Sequence, residues 1–178
     1  LKEGTKNKMN AIEIQNVTKI FKTETLRSRQ IKALENLTFS VSEKEIFGFI
    51  GANGAGKTTT IKLILNLIFP TSGEIKINGI PHTHIDARKH IGFLPEQPYF
   101  YDYLTGKELL LFYGQLMKME KKECESRIPT LLRLVNMEDA KDLQLRSYSK
   151  GMLQRIGIAQ AMISDPDILI LDEPMSGL

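Results

Sequence analysis

The chain has 178 residues, of which 42% are hydrophobic and 25% are charged. These are ordinary values for a globular domain, and they exclude disordered and collagen-like classes. The 24 basic residues are nearly balanced by 21 acidic ones, so the net charge of +3 gives no indication of a nucleic-acid partner. The single cysteine, Cys124, excludes an internal disulfide and fits a reducing compartment. Its polar neighbours predict an incidental surface or half-buried thiol.

The first half of the chain predicts strands around a glycine-rich turn. After a polar tail at residues 1–10, AIEIQNV (11–17) and LTFSV (37–41) alternate apolar and polar residues as half-buried strands do. The polar segment KTETLRSRQIK between them predicts a hairpin loop. IFGFI (46–50) predicts a further strand that leads into the glycines.

A helix and two more strands follow the glycines. TTTIKLILNLIF predicts a buried helix that Pro70 stops. EIKING predicts a short strand with a turn, and HIGFLPE predicts a strand before a proline-containing loop.

From about Thr105 the apolar residues recur at helical spacing. TGKELLLFYGQLMKM and ESRIPTLLRLVNM predict two helices, and SKGMLQRIGIAQAMI predicts a third that Ser149 caps. DILILDEP then predicts an apolar strand of the kind found in parallel sheets buried on both faces. The sequence thus predicts an α/β fold with a helical subdomain at about residues 105–164.

Residues 51–58 match the phosphate-binding pattern G-x-x-x-x-G-K-[ST]. Glycines let successive backbone N–H groups turn toward a phosphate, and the following helix adds the positive end of its dipole. Lys57 is predicted to reach the terminal phosphates of ATP, and the Thr58 hydroxyl to bind Mg²⁺. The predicted nucleotide-binding residues here are Gly51, Asn53, Gly54, Ala55, Gly56, Lys57, Thr58 and Thr59.

The strand ILIL ends in two carboxylates, which a parallel sheet exposes at its carboxyl edge. Asp172 is predicted to hold Mg²⁺ through water, and Glu173 to act as the general base toward the attacking water. Catalysis is therefore assigned to Glu173 and Lys57.

In their order along the chain, the phosphate loop, SKGMLQR, ILILDEP and SGL resemble the ATP-binding cassette (ABC) ATPase family. The family's LSGGQ-like signature corresponds to residues 148–152, which keep Ser149 and Gly151 but depart at three positions. The resemblance implies a P-loop fold with a parallel core sheet, an N-terminal antiparallel subdomain and an inserted helical subdomain. It also implies a head-to-tail dimer in which Ser149 and Gly151 act on the nucleotide held by the other domain.

The resemblance further implies an aromatic residue that stacks on adenine after the first strand, and Phe21 occupies that place. It implies a polar residue, usually glutamine, that contacts the metal and couples to the membrane partner. Glu96 has the favoured spacing and Gln97 is next to it, so both stay open. The aromatic cluster at residues 99–103 suits docking of a partner's helix or a satellite core cluster.

The pair His82 and His84 could bind a metal, but a solvated loop is the favoured interpretation. The family's phosphate-contacting histidine lies well beyond the second carboxylate motif, and the sequence ends at Leu178. We therefore expect an incomplete cassette that binds ATP but hydrolyses it weakly.

The resemblance implies the ATPase subunit of a transporter, most simply an exporter, at the cytoplasmic face of the membrane with separate transmembrane permease subunits. The apolar runs are far shorter than the roughly 20 residues of a membrane span, so the partner would supply the pore. Two alternatives stay open: a soluble cassette ATPase acting in translation or DNA repair, and a nucleotide-binding module without turnover.

Overall fold

The computed structural model describes residues 10–23 and 29–175. Most of the predicted tail, the centre of the predicted hairpin loop at residues 24–28, and the SGL of residues 176–178 lie outside the described residues. The chain divides into two compact units, Leu1–Lys89 and His90–Leu178. Each is described by itself.

The first unit contains a four-stranded antiparallel sheet in the order β2-β1-β3-β4. The strands are β1 (Asn10–Thr23), β2 (Arg29–Ser42), β3 (Ser72–Ile77) and β4 (Ile80–Pro81). The two predicted N-terminal strands are confirmed, but the hairpin loop between them is shorter than predicted. Lys22 pairs with Gln30 in the β1–β2 ladder, so both ends of that polar segment are strand. Polar residues fit there because a hairpin's outer face meets water.

The interior of this sheet is aliphatic: Ile14, Val17, Ile75 and Ile77 are each 2% exposed or less. The predicted strand and turn in EIKING is confirmed as the hairpin of β3 and β4. Asn78 and Gly79 form its turn with φ of 49° and 75°. Two positive φ angles match the twist that two-residue hairpins require.

Helix α1 (Lys57–Ile64) is shorter than predicted and does not reach Pro70. Asn66 has φ of 55° and its N–H donates to the Leu63 carbonyl at 2.9 Å. The Leu67 N–H donates to the Lys62 carbonyl, also at 2.9 Å. These two bonds form the cap that ends a helix at a left-handed residue, so Asn66 and not the proline stops α1.

The strand predicted at residues 46–50 is wrong. Residues 45–50 have no strand or helix structure, and Ile46 and Ile50 are 101% and 98% exposed. An apolar run becomes a strand only where a neighbour takes up its backbone N–H and C=O groups. Residues 46–50 lie outside both sheets of the described chain.

The second unit contains a parallel two-stranded sheet of β5 (Ile91–Leu94) and β6 (Ile168–Leu171). Both predicted strands and their parallel arrangement are confirmed. The predicted burial of β6 on both faces is not confirmed, because Leu169 is 39% exposed. With the antiparallel sheet and the helices, this parallel sheet confirms the α/β fold class.

Three long helices lie between β5 and β6: α3 (Gly106–Leu116), α4 (Lys121–Leu134) and α5 (Lys150–Met162). A four-residue helix, α2 (Ile85–Arg88), belongs to the first unit. Thr105 caps α3 through a reciprocal pair of hydrogen bonds with Glu108. The three predicted helices are confirmed, although α4 starts earlier than predicted and includes Pro129.

The three long helices share one core, which includes Leu109, Leu110, Ile128 and Ile156. Cys124 lies in this core with no exposed surface, so the predicted surface or half-buried thiol is wrong. The helical period of α4 places Cys124 in line with Ile128, on its buried face. Burial raises the pKa of the Cys124 thiol, mainly by desolvation.

None of the helices among residues 10–23 and 29–175 has the length and apolar character needed to cross a membrane.

Candidate nucleotide-binding and catalytic residues

The phosphate loop has the backbone that its glycines predict. Gly54 and Gly56 have φ of 84° and 91°, where most side chains are strained. A Cβ on Gly56 would also lie 2.5 Å from Leu34 Cδ2 and 2.9 Å from the Ala33 carbonyl oxygen. Only glycine therefore fits at this position. Alternating left-handed residues of this kind form a concave backbone that binds anions.

Helix α1 begins at Lys57, directly after the loop, and no side chain caps its N-terminus. The first N–H groups of a helix have no partner within it, so they are donors for an anion. Lys57 Nζ donates to the Gly51 carbonyl at 2.7 Å and lies 3.3 Å from the Ala52 carbonyl. The Lys57 ammonium thus lies close to the first residues of the loop. Its positive charge there suits the negatively charged phosphates of a nucleotide.

The remaining predicted loop residues are accessible to a ligand. Thr58 and Asn53 are exposed, and Thr59 is half-buried. Gly51, Gly54 and Ala55 are also exposed, whereas Gly56 is buried against β2.

The carboxylates follow β6 as predicted. The Asp172 N–H donates to the Leu94 carbonyl at 2.9 Å, which continues the parallel ladder one residue beyond β6. Asp172 is 6% exposed, while Glu173 is exposed with φ of 49°. A residue other than glycine is uncommon in this left-handed region. At Glu173 the chain leaves the direction of β6.

The Thr58 hydroxyl of the first unit and the Asp172 carboxylate of the second are each oxygen donors, the ligand type that Mg²⁺ prefers. Within the described ranges, no group of three or more histidine, cysteine and acidic side chains could hold a metal. A metal bound mainly through the nucleotide phosphates needs no such group.

At the start of α5, the Ser149 hydroxyl accepts a hydrogen bond from the Met152 N–H at 3.2 Å. Ser149 is therefore the predicted cap, and it is exposed, with Gly151 half-buried beside it. Tyr148, which departs from the signature pattern, is 7% exposed, and its hydroxyl donates to the Ala140 carbonyl at 2.7 Å. Burial raises the pKa of the Tyr148 hydroxyl.

Phe21 lies inside β1, opposite Ile31, rather than after the first strand as predicted. Its exposed fraction is 38%, so part of the ring is available for stacking. Glu96 and Gln97 follow β5 in a loop and both are exposed, so the structure does not distinguish them.

The aromatic cluster divides into two parts. Phe100 packs edge-to-face on Tyr113, with ring centroids 6.2 Å apart, and belongs to the helical core. Tyr99, Tyr101 and Tyr103 are 98%, 53% and 60% exposed. Tyr101 also packs edge-to-face on Phe112 of α3, with centroids 5.6 Å apart. Sequence reasoning missed Phe112, although the helical period of α3 could have placed it on an outer face.

The solvated loop predicted for the histidine pair is wrong at His82, which is 5% exposed. Its Nδ1 lies 3.2 Å from the Ile75 carbonyl oxygen, whereas His84 is exposed. Burial lowers the pKa of His82, and the nearby Arg88 guanidinium lowers it further. The contact of Nδ1 with the Ile75 carbonyl links this imidazole to β3.

An α/β fold with a glycine loop that opens a helix defines the class of P-loop nucleotide-binding domains. A solved dimeric ATP-binding cassette, in a post-hydrolysis state bound to ADP and Pi, matches with a TM-score of 0.82 and 28% identity. The match covers 94% of this chain and 75% of that one.

The chain belongs to the ABC transporter family, whose domain matches residues 34–176. An uncharacterized ABC transporter ATP-binding protein of Synechocystis sp. is 43% identical, covering 95% of this chain and 48% of that protein. Nod factor export ATP-binding protein I of Paraburkholderia xenovorans is 35% identical, with 94% and 54% covered. The chain thus spans about half the length of these relatives.

Proposed function

We propose that this chain binds and hydrolyses ATP as the motor domain of an ABC transporter. The observation that supports this most is the phosphate loop, where left-handed glycines, an uncapped helix start and the Lys57 ammonium converge. Each of these features supplies positive charge or an N–H donor to an anion.

The phosphates of ATP lie against the N-terminus of α1, and Lys57 exchanges the Gly51 carbonyl for a phosphate oxygen. Mg²⁺ would be held by the Thr58 hydroxyl and, through water, by Asp172, and it would supply positive charge that neutralises the phosphates. Glu173 accepts the proton of the attacking water. Phosphoryl transfer needs mainly positioning and charge stabilisation, and we assign these two tasks to these four side chains.

Adenine stacks on Phe21, and Ser149 with Gly151 contacts the nucleotide of a second, head-to-tail ATP-binding domain. The dimeric cassette among the structural neighbours supports a second ATP-binding domain as a partner. Glu96 or Gln97 contacts the metal and couples hydrolysis to the partner. The helical subdomain extends over about residues 105–164 of an ABC-type domain that starts at residue 11.

The transmembrane permease docks on the exposed aromatic residues Tyr99, Tyr101 and Tyr103, at the cytoplasmic face of the membrane. Exposed rings next to a coupling loop suit the apolar face of a partner's helix. The relative that acts in Nod factor export supports export as the direction.

Two measurements test this function. Steady-state phosphate release with Mg·ATP should exceed the buffer rate and fall by about 10²-fold or more in Glu173→Gln. ATP binding without release would instead favour a nucleotide-binding module without turnover. Affinity purification from detergent-solubilised membranes should yield an integral membrane protein, and its yield should fall in a Tyr99→Ser, Tyr101→Ser, Tyr103→Ser variant. Co-purification of ribosomes or DNA instead would contradict the transporter assignment.

A further inference from the structure

The Phe21 ring is in contact with a lysine on the same strand. Lys19 Nζ lies 4.9 Å from the ring centroid of Phe21. The two residues are two positions apart on β1, and the Lys19 ammonium lies over one face of the Phe21 ring. The same Nζ donates to the Phe69 carbonyl at 2.7 Å.

Lys19 lies where hydrogen bonds join β1 to the segment that follows α1. The Thr71 N–H donates to the Thr18 carbonyl at 2.8 Å, and the Ile20 N–H donates to Thr71 Oγ1 at 3.0 Å. Three hydrogen bonds, one at each of the consecutive β1 residues Thr18 to Ile20, therefore join this strand to residues 69–71. Both the ring and the phosphate loop belong to the first unit.

We propose that Lys19 is a positioning residue for nucleotide binding, which holds the Phe21 ring in one orientation and leaves its opposite face for the base. This rests on the proposed function, in which Phe21 stacks on adenine. A cation on one ring face withdraws π-electron density, so the other face repels the electron-rich adenine less. A ring already held in place also loses less side-chain freedom when the nucleotide binds.

The test compares Lys19→Met, which keeps the aliphatic stem, with Lys22→Met on the exposed end of the same strand. Affinities are measured for Mg·ATP and for inorganic tripolyphosphate, which has no base. Lys19→Met should weaken ATP binding about 2- to 5-fold, the strength of one exposed cation–π contact, and leave tripolyphosphate unchanged. Lys22→Met should change neither affinity.

Phe21→Ala separates this inference from the proposed function. It should weaken ATP binding, and adding Lys19→Met to it should have no further effect. If Phe21→Ala weakens ATP binding but Lys19→Met does not, Lys19 has no positioning role while stacking stands. If Phe21→Ala leaves ATP binding unchanged, the stacking assignment itself fails.

Equal weakening of ATP and tripolyphosphate by Lys19→Met would also overturn the inference, because it would indicate a role of charge or folding alone. Lys19→Gln keeps a donor for the Phe69 carbonyl but removes the charge. It should show the same base-dependent loss, and it provides the test if Lys19→Met does not fold.

Discussion

The ammonium of Lys57 lies 2.7 Å from the carbonyl oxygen of Gly51, so the last residues of the phosphate loop contact its first. A neutral carbonyl is a weaker acceptor for an ammonium than an anionic oxygen. We therefore expect a phosphate that enters the loop to replace this contact with a stronger one.

Glu173→Gln should preserve ATP binding but lower turnover by about 10²-fold or more, because an amide cannot accept the proton of the attacking water. The left-handed backbone is retained since only the side chain changes, and the variant should persist as an ATP-bound dimer. Phosphate release and size-exclusion chromatography with ATP measure the two effects. Glu43→Gln, at an exposed glutamate outside the proposed site, is the matched control. Normal turnover in Glu173→Gln together with loss in Glu96→Gln would assign the base to Glu96.

Tyr148→Phe should lower the free energy of unfolding by about 1 kcal/mol, the typical net value of one intramolecular hydrogen bond. The change removes the hydroxyl that donates to the Ala140 carbonyl but keeps the buried ring. Urea denaturation measures this, with Tyr103→Phe on an exposed ring as control. An unchanged midpoint for Tyr148→Phe would show that the Ala140 contact contributes nothing to stability.

His82 should make stability depend on pH. Burial holds its folded-state pKa below the ordinary value of 6.5, mainly by desolvation, and Arg88 adds to this although the Ile75 carbonyl opposes it. Below about pH 6.5 the unfolded chain binds a proton more readily than the folded chain. The contribution of His82 is therefore complete above this pH and is lost as the pH falls toward the folded-state pKa.

Urea denaturation at about pH 7.5 and about pH 5.5 checks this sign. His82→Asn should lose less stability between the two values than the wild type does, while His84→Asn on the exposed neighbour keeps the wild-type difference. A pH dependence identical in His82→Asn and the wild type would contradict the assignment.

Local chemistry was predictable from the sequence wherever a backbone conformation demands one residue type. The left-handed Gly54 and Gly56, the start of α1 after them and the Ser149 cap were all predictable in this way. The carboxylates after β6 were predictable because an apolar run must end at a sheet edge.

Features that depend on distant partners were not predictable. The buried His82 follows a proline in a polar stretch, and only its contact with Ile75 of β3 explains its position. The buried Tyr148 hydroxyl depends on the Ala140 carbonyl as its hydrogen-bond acceptor, and no hydrophobic periodicity in the sequence indicates this contact. The adjoining ends of β1 and β2 are polar, so the sequence predicted a loop there. Strands with one face in water carry many polar residues and give only a weak apolar pattern.

A calorimetric titration with Mg·ATP measures nucleotide binding at the phosphate loop. The wild-type chain should bind ATP saturably, and Lys57→Ala should weaken that binding about tenfold or more because one charge-assisted hydrogen bond to phosphate is lost. Lys62→Ala removes the same charge from an exposed position of the same helix and should bind as the wild type does. No saturable binding by the wild type, or equal affinity in Lys57→Ala and the wild type, would contradict the account.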